Sequence, residues 1–249
     1  MPVQSIRSFV YWTGLIISAF LFVFSRPIRD EVADYLTWLG IKNEDAVYFI
    51  VFVIGLFLLF AARLISERIP KYVPGVRAAI MRNNFIEGDW IDAVLSGDHR
   101  NVLSVGLIKI SYKNGQLVAK GSDHDPDGAM HSVFESIISR IYDSGQYCYC
   151  YEATMLREAE FTHHRGYAQY SFLTGTGRAS EFVGVYSSAS TGKKHTIRGN
   201  MMAPALLAEL GLDPKKDYLK ADADRRTLIE AFAKFTTQQT RNDSRQTGG

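Results

Sequence analysis

Apolar positions along the chain fall into three regimes. From Phe9 to Phe24 (FVYWTGLIISAFLFVF) and from Ala46 to Ala62 (AVYFIVFVIGLFLLFAA) they run unbroken by charge; from Phe85 to Met201 they alternate with polar positions; after Pro204 they return at helical spacing. Each uncharged run, helped by neighbours such as Leu64 and Ile65, is long enough to cross a hydrocarbon core of about 30 Å as a helix. Two membrane spans are therefore predicted within residues 1–71. A cleaved signal peptide is disfavoured for the first, because FSRPIRD lacks a small-x-small cleavage pattern. Between the runs, Ile28, Val32, Tyr35, Leu36 and Leu39 share a helical face behind Pro27, which predicts either a separate amphipathic segment lying on the membrane with Trp38 as anchor or a plain hairpin connector. Residues 72–84 read as a juxtamembrane linker.

The alternating region predicts strands at about 85–95, 102–112, 116–122, 131–142, 146–155, 165–174, 181–188 and 193–201. Their links (SGDHRN, KNG, SDHDPDGA, DSG, TGTGRA, SASTG) are rich in the residues that tight antiparallel turns require, whereas LREAEFTHH is either a helical turn or a long loop. Eight strands in meander order leave two exposed edges unless they close. The fold class is thus a membrane helical hairpin plus an all-β domain, an eight-stranded up-and-down antiparallel barrel over 85–202. C-terminal helices follow over 203–240, then a polar, disordered tail over 241–249.

Charge refines the picture in one respect. Arg63, Arg68, Lys71, Arg77 and Arg82 follow the second run, which places the barrel and the N-terminus in the cytoplasm of an inner-membrane, multi-pass protein. The net charge of +2, with no basic tract, argues against binding a nucleic-acid duplex. Cys148 and Cys150, two apart on one strand, supply neither a disulfide framework nor a zinc site.

Candidate chemistry is sparse. Tyr147, Tyr149 and Tyr151 alternate onto one strand face, where they either stack on flat rings or simply form a barrel exterior. Lys109 shares a face with Leu103, Val105 and Leu107, and Arg140 shares one with Phe134 and Ile138; an inward cation would need an internal acid or a phosphate. Thr174–Phe182 (TGTGRASEF) is a turn that can offer N–H groups to an anion, but it is not a Walker loop. The six histidines, with Asp123, Asp125 and Asp127, show no metal-ligand spacing. No nucleophile elbow or catalytic cysteine context is present, so a binding protein without metal or cofactor is expected rather than an enzyme. In the runs themselves, Gly14 and Ser18, four apart, and Gly55 mark places where a partner helix can approach closely.

Gly88-Asp89-Trp90 on the first strand and Arg198 on the last resemble the closure of lipocalin-type (calycin) barrels, in which a tryptophan plugs one end beneath an arginine. In layout, two spans followed by a strand-rich domain that opens on EGDW and continues through GTGRASEFVGVYSS resemble the two-transmembrane, β-strand-rich effectors of bacterial CD-NTase (CBASS) antiphage systems. That resemblance implies a barrel that binds a cyclic nucleotide, most readily a cyclic dinucleotide, and spans that then form homo-oligomers among the membrane lipids and disrupt the bilayer. The ligand-binding candidates for this reading are Lys109, Arg140, Tyr147, Tyr149, Tyr151 and Arg198; Gly88, Trp90 and Arg198 are the closure candidates. Two other classes stay open: a membrane-anchored carrier with a wide apolar interior, and a scaffold with a filled one.

Overall fold

The computed structural model describes the chain except residues 1–2, 41–42, 82–84, 98–100, 114–115, 143, 157–162, 174–177, 190–191 and 248–249, together with the side chains of 3–10, 19–25, 62, 65–67, 69–71 and 243–247. Two compact units result, Pro2–Met81 and Arg82–Gly249.

In the second unit, eight strands run in sequence order: β1 (Gly88–Leu95), β2 (Val102–Lys113), β3 (Gln116–His124), β4 (Met130–Ile141), β5 (Gln146–Met155), β6 (His163–Leu173), β7 (Glu181–Ser188) and β8 (Lys194–Met201). Each pairs antiparallel with its neighbour, and β1 pairs with β8, closing the barrel without an edge. The inner face is set by parity from Trp90, whose register partner is Ile108; Asp92 faces Gly106 and Val94 faces Ser104 on the same side. Opposite parity puts Ile91, Ala93, Val105 and Leu107 outside. That stripe is buried because helices α4 (Pro204–Glu209) and α5 (Asp222–Thr247) cover it. Pro204 starts α4 at a position where its missing N–H costs nothing, and Asp222 and Asp224 stand in the first turn of α5, where a negative charge suits the helix dipole. Leu228, Ile229, Phe232 and Ala233 then form the face of α5 that seals the stripe.

Elsewhere the outside of the barrel is wet. One cross-strand row runs Asp89, Lys109, Lys120, Glu135, Glu152, Arg165 from β1 to β6, each residue the register partner of the next. Lys120 pairs with Glu135 at 2.6 Å and Arg165 with Glu152 at 3.3 Å. Such a ladder fixes register more than it stabilises, since every member is solvated.

The helical unit holds α1 (Val3–Trp38), α2 (Glu44–Tyr72) and α3 (Pro74–Met81), with α1 and α2 packed together. Pro27 lies inside α1 rather than ahead of a separate amphipathic segment. A proline removes one intrahelical bond, and in a long apolar helix that loss bends the helix without ending it. Among the described residues, α2 is the one helix long and apolar enough to cross a membrane, over Glu44–Ala61 with a mean hydropathy of 2.2 and none of that stretch buried. The Phe9–Phe24 run lies on α1, and its side chains at 9–10 and 19–24 fall outside the described residues. Two further differences concern length: the linker contains α3, and α5 continues to Thr247 through residues read as a polar tail. The α3 segment has Val76, Ala79 and Ile80 at helical spacing but is only eight residues long behind Pro74 and Gly75, and the end of α5 lacks an apolar stripe; neither carries a helix breaker past its first turn.

A candidate ligand cavity in the barrel

One end of the barrel, where the chain enters, is plugged by aromatic rings. Trp90 is fully buried; its ring lies 4.9 Å from Phe172 and 5.6 Å from Phe182, and Phe182 stacks on Tyr170 at 4.2 Å. The Trp90 indole N–H donates to the Ile86 carbonyl at 2.9 Å, so the plug is tied to the segment that leads into β1. Room for these rings comes from glycine. Gly184 is the register partner of Tyr170 and Gly199 that of Phe182, and a Cβ on either would fall within 2.8 Å of the partner ring. The same rule pairs Gly121 with Phe134 and Gly166 with Tyr151. An aromatic laid flat over a cross-strand glycine fills the space that the missing side chain leaves.

The closure differs from the lipocalin-type arrangement. Arg198 is the register partner of Ala93, on the outer face, and does not lie over Trp90. The cation at this end comes from the β6–β7 connection instead: Arg178 donates to the Glu87 carbonyl and sits 4.8 Å over the Phe85 ring. Gly88 belongs to the closure, with φ +145° and a Cβ position only 3.1 Å from the Arg178 guanidinium, so no other residue suits that turn of the backbone.

Toward the opposite end, a partly open cavity of about 80 Å³ is lined by Asp92, Asp123, His131, Phe134 and four tyrosines, Tyr149, Tyr151, Tyr170 and Tyr186, with Val94, Ser104, Ala168 and Ile197 completing the wall. Asp92 accepts the Gly106 N–H at 3.0 Å, and Asp123 accepts the Ser132 hydroxyl at 2.7 Å. A Cβ on Gly106 would lie 2.2 Å from Asp92 Oδ1 and 3.3 Å from Asp123 Oδ1; Gly106 is the spot at which the two carboxyls converge. Burial lifts the Asp92 carboxyl well above the usual carboxylate range and the charge of Asp123 adds to the lift, against the pull of the Gly106 N–H and the Tyr170 hydroxyl. Burial also raises Asp123, opposed by Ser132 and His131. The Tyr149 and Tyr170 hydroxyls are 2.6 Å apart, and burial holds both phenols protonated; Tyr186 is pushed up to about 12 for the same reason. The cavity therefore combines two buried carboxyls, both raised above the usual range, with aromatic faces and hydroxyls.

Of the residues singled out by pattern, Tyr149 and Tyr151 line this cavity. Tyr147 points inward too, but at the plugged end, buried against Tyr149 and reaching the Leu117 carbonyl at 3.4 Å, with its phenol raised to about 12 by burial. The cations do not join them. Lys109 belongs to the outer row, 3.9 Å from Asp89. Arg140 is the register partner of Cys148 on the outer face and packs 4.8 Å over Tyr142. The β-bulge between Ser136 and Ile138 explains the second case: it inserts one residue, so Phe134 before it faces in while Ile138 and Arg140 after it face out. Arg198 is outside as well. Asp92, Tyr170 and Tyr186 carry no motif and Asp123 stands out only beside the histidines, as an acid without metal-ligand spacing, although Asp92 shares parity with Trp90 and an acid on the plug's own face is a readable signal.

Among the described residues no group of three or more metal-ligating side chains gathers. Asp127 serves the turn that follows β3, accepting the Ala129 N–H at 3.0 Å, and His124 is held between Ser122 and the Gly128 carbonyl. The glycines of TGTGRASEF fall on residues 174–177, outside the described residues. In the helical unit Gly14, Ser18 and Gly55 all lie on helices; nothing stands within 4 Å of a Cβ added to either glycine, and the Ser18 hydroxyl donates to the Gly14 carbonyl at 2.9 Å. Comparison with known proteins finds no matching family, no similar curated protein and no similar solved structure.

Proposed function

We propose that this chain is a membrane-anchored sensor that binds a cyclic nucleotide in its barrel and responds by assembling its helices and disrupting the inner membrane, as the resemblance to the CBASS effectors implies. The observation that carries the reading is a polar, aromatic cavity inside a closed barrel, on a chain that also has an exposed helix apolar enough to cross a bilayer. Stacked tyrosines suit a flat heterocycle. The acid pair speaks against the carrier alternative, whose interior would be wide and wholly apolar, and the cavity speaks against a barrel filled solid for scaffolding. With Lys109, Arg140 and Arg198 on the outer face, a base enters the barrel and the phosphates stay outside it. Basic residues after the apolar run of α2 favour a cytoplasmic barrel, where such a messenger is made.

The test is a thermal-shift screen of the full chain in detergent against cyclic di- and trinucleotides. A ligand at about 100 times its Kd adds roughly 2.7 kcal/mol to the folded state. The same ligand should release dye from liposomes carrying the protein. Leakage of equal extent with and without ligand overturns ligand control.

A further inference from the structure

The outer face of β4 exposes apolar side chains beside charged ones. Its bulge between Ser136 and Ile138 presents two consecutive isoleucines to solvent: Ile137 is 57% exposed and Ile138 61%, and Val133 further along the strand is exposed as well. The helices that seal β1 and β2 leave these residues open. Neighbouring apolar side chains left outward on a water-facing strand mark a contact surface.

Through this patch runs the charged row Asp89, Lys109, Lys120, Glu135, Glu152, Arg165, each the register partner of the next. From β1 to β6 its signs are minus, plus, plus, minus, minus, plus. Read backwards, every sign is inverted, so the row is its own complement. Let a second copy be turned about a two-fold axis that runs along the strands between β3 and β4. Lys120 then meets Glu135 of the second copy, and Lys109 meets its Glu152. The alternative two-fold, running across the strands along the row, sets each residue against itself, like charge on like. Charge order therefore selects the axis along the strands. That axis keeps the chain-entry ends of both barrels on one side, as two chains anchored in the same bilayer would need.

Curvature carries β1 and β6 away from a flat contact, and the α5 ridge stands over β1 and β2, so the contact centres on β3 and β4. There Lys120 and Glu135, both exposed and 2.6 Å apart within one copy, meet the same pair inverted and close a square of alternating charge. Such a network is worth more than an isolated exposed pair. Beside the square, Ile137 and Ile138 come opposite Val118 of the second copy, two residues before its Lys120 and on the same outward parity.

We infer that the outer β3–β4 face is the interface of a two-fold barrel pair whose other member is a second copy of this chain. This goes beyond the nucleotide-sensing reading, because the barrels pair without any ligand. The experiment co-expresses the full chain under two affinity tags and measures, without ligand and in detergent, how much of one copy is recovered with the other. Lys120→Glu makes the central square wholly acidic and Glu135→Lys makes it wholly basic. Each chain is expected to lose recovery with itself by at least about tenfold, the effect of like charges set face to face. A Lys120→Glu chain co-expressed with a Glu135→Lys chain regains opposite charges at both contacts and should be recovered as the parent is. The double variant Lys120→Glu/Glu135→Lys should pair with itself and reject the parent.

Recovery untouched by either single change overturns the inference. So does recovery lost in both and not regained in the mixture, when each variant melts as the parent does. A different protein held on this face and released by Lys120→Glu, while the two copies stay together, also overturns it. The two readings fail separately: barrels that pair in this pattern while no cyclic nucleotide causes leakage leave the interface standing and the effector reading fallen, and the reverse result does the opposite.

Discussion

Asp92 and Gly106 show how much of the interior chemistry depends on a single register pair. Gly106 lets Asp92 fold over the neighbouring strand and take its N–H, and the same gap lets Asp123 approach. Gly106→Ala would place a methyl 2.2 Å from Asp92 Oδ1 and force the carboxyl away from its donor. A loss of about 1–3 kcal/mol is expected in denaturant unfolding of the full chain, together with loss of ligand-induced stabilisation. The raised carboxyls also set a pH dependence. A carboxyl whose folded pKa lies above its unfolded value keeps, in the barrel, a proton that the unfolded chain releases, so stability falls as pH rises between the two values. That penalty is absent below the unfolded value near 3.8 and complete above the folded one. The Tm of the ligand-free protein is therefore expected to climb as pH is lowered from about 7 to about 5. Asp92→Asn, which keeps the acceptor and cannot ionise, should raise the Tm at neutral pH and flatten the slope. A parent Tm that falls steadily over this window contradicts the assignment. At this scale the sequence was legible by parity until a bulge intervened: Tyr149 and Tyr151 face in as their alternation allows, but one extra residue near Ile137 turned Arg140 outward, and nothing in SIISRI announces it.

Secondary-structure elements were easier to read than the faces they present. All eight strands lie where alternation and turn residues put them, because each strand has a wet or helix-covered outside and a packed inside, and that difference is written in period two. The inward glycines Gly121, Gly166, Gly184 and Gly199 are register partners of Phe134, Tyr151, Tyr170 and Phe182; recognising them requires the pairing, which one strand alone does not reveal. Trp90 was readable as a plug, but the cation at that end was not, since Arg178 comes from a connection rather than a strand and meets the Glu87 carbonyl and the Phe85 ring instead of the indole. The plug can be dissected. Trp90→Phe keeps most ring contacts and loses the bond to the Ile86 carbonyl, for an expected cost of about 1 kcal/mol. Trp90→Ala leaves a hole among Phe172 and Phe182 and should cost about 3–5 kcal/mol. On the outside, Phe232→Ala removes a fully buried ring from the α5 seal and is expected to cost a similar 3–5 kcal/mol, read in the same unfolding experiment. Helix lengths were the least legible: α3 is only eight residues long behind Pro74 and Gly75, and the last turns of α5 have no apolar stripe.

At the level of the whole molecule, the proposed activity needs the two units to perform different tasks, and a substitution can separate them. In that proposal the barrel binds and the helices assemble. Gly55 lies within the membrane-length stretch of α2, and a side chain added there meets nothing within 4 Å in the single chain. Gly55→Ile therefore adds no clash to the isolated protein, and isoleucine is at home in lipid. In an oligomer whose helices meet at small residues, the same branched side chain would hold the backbones apart and remove the close packing that drives association in a bilayer, where apolar burial gives no net gain. Gly55→Ile is expected to leave the ligand-induced thermal shift within error of the parent, and to lower ligand-triggered liposome leakage and the ligand-dependent oligomer seen by crosslinking by at least about tenfold, equivalent to roughly 1.4 kcal/mol of lost association. If leakage survives while binding is unchanged, assembly through α2 is not the route by which the ligand reaches the membrane, and the approach of α1 at Gly14 and Ser18 becomes the place to look.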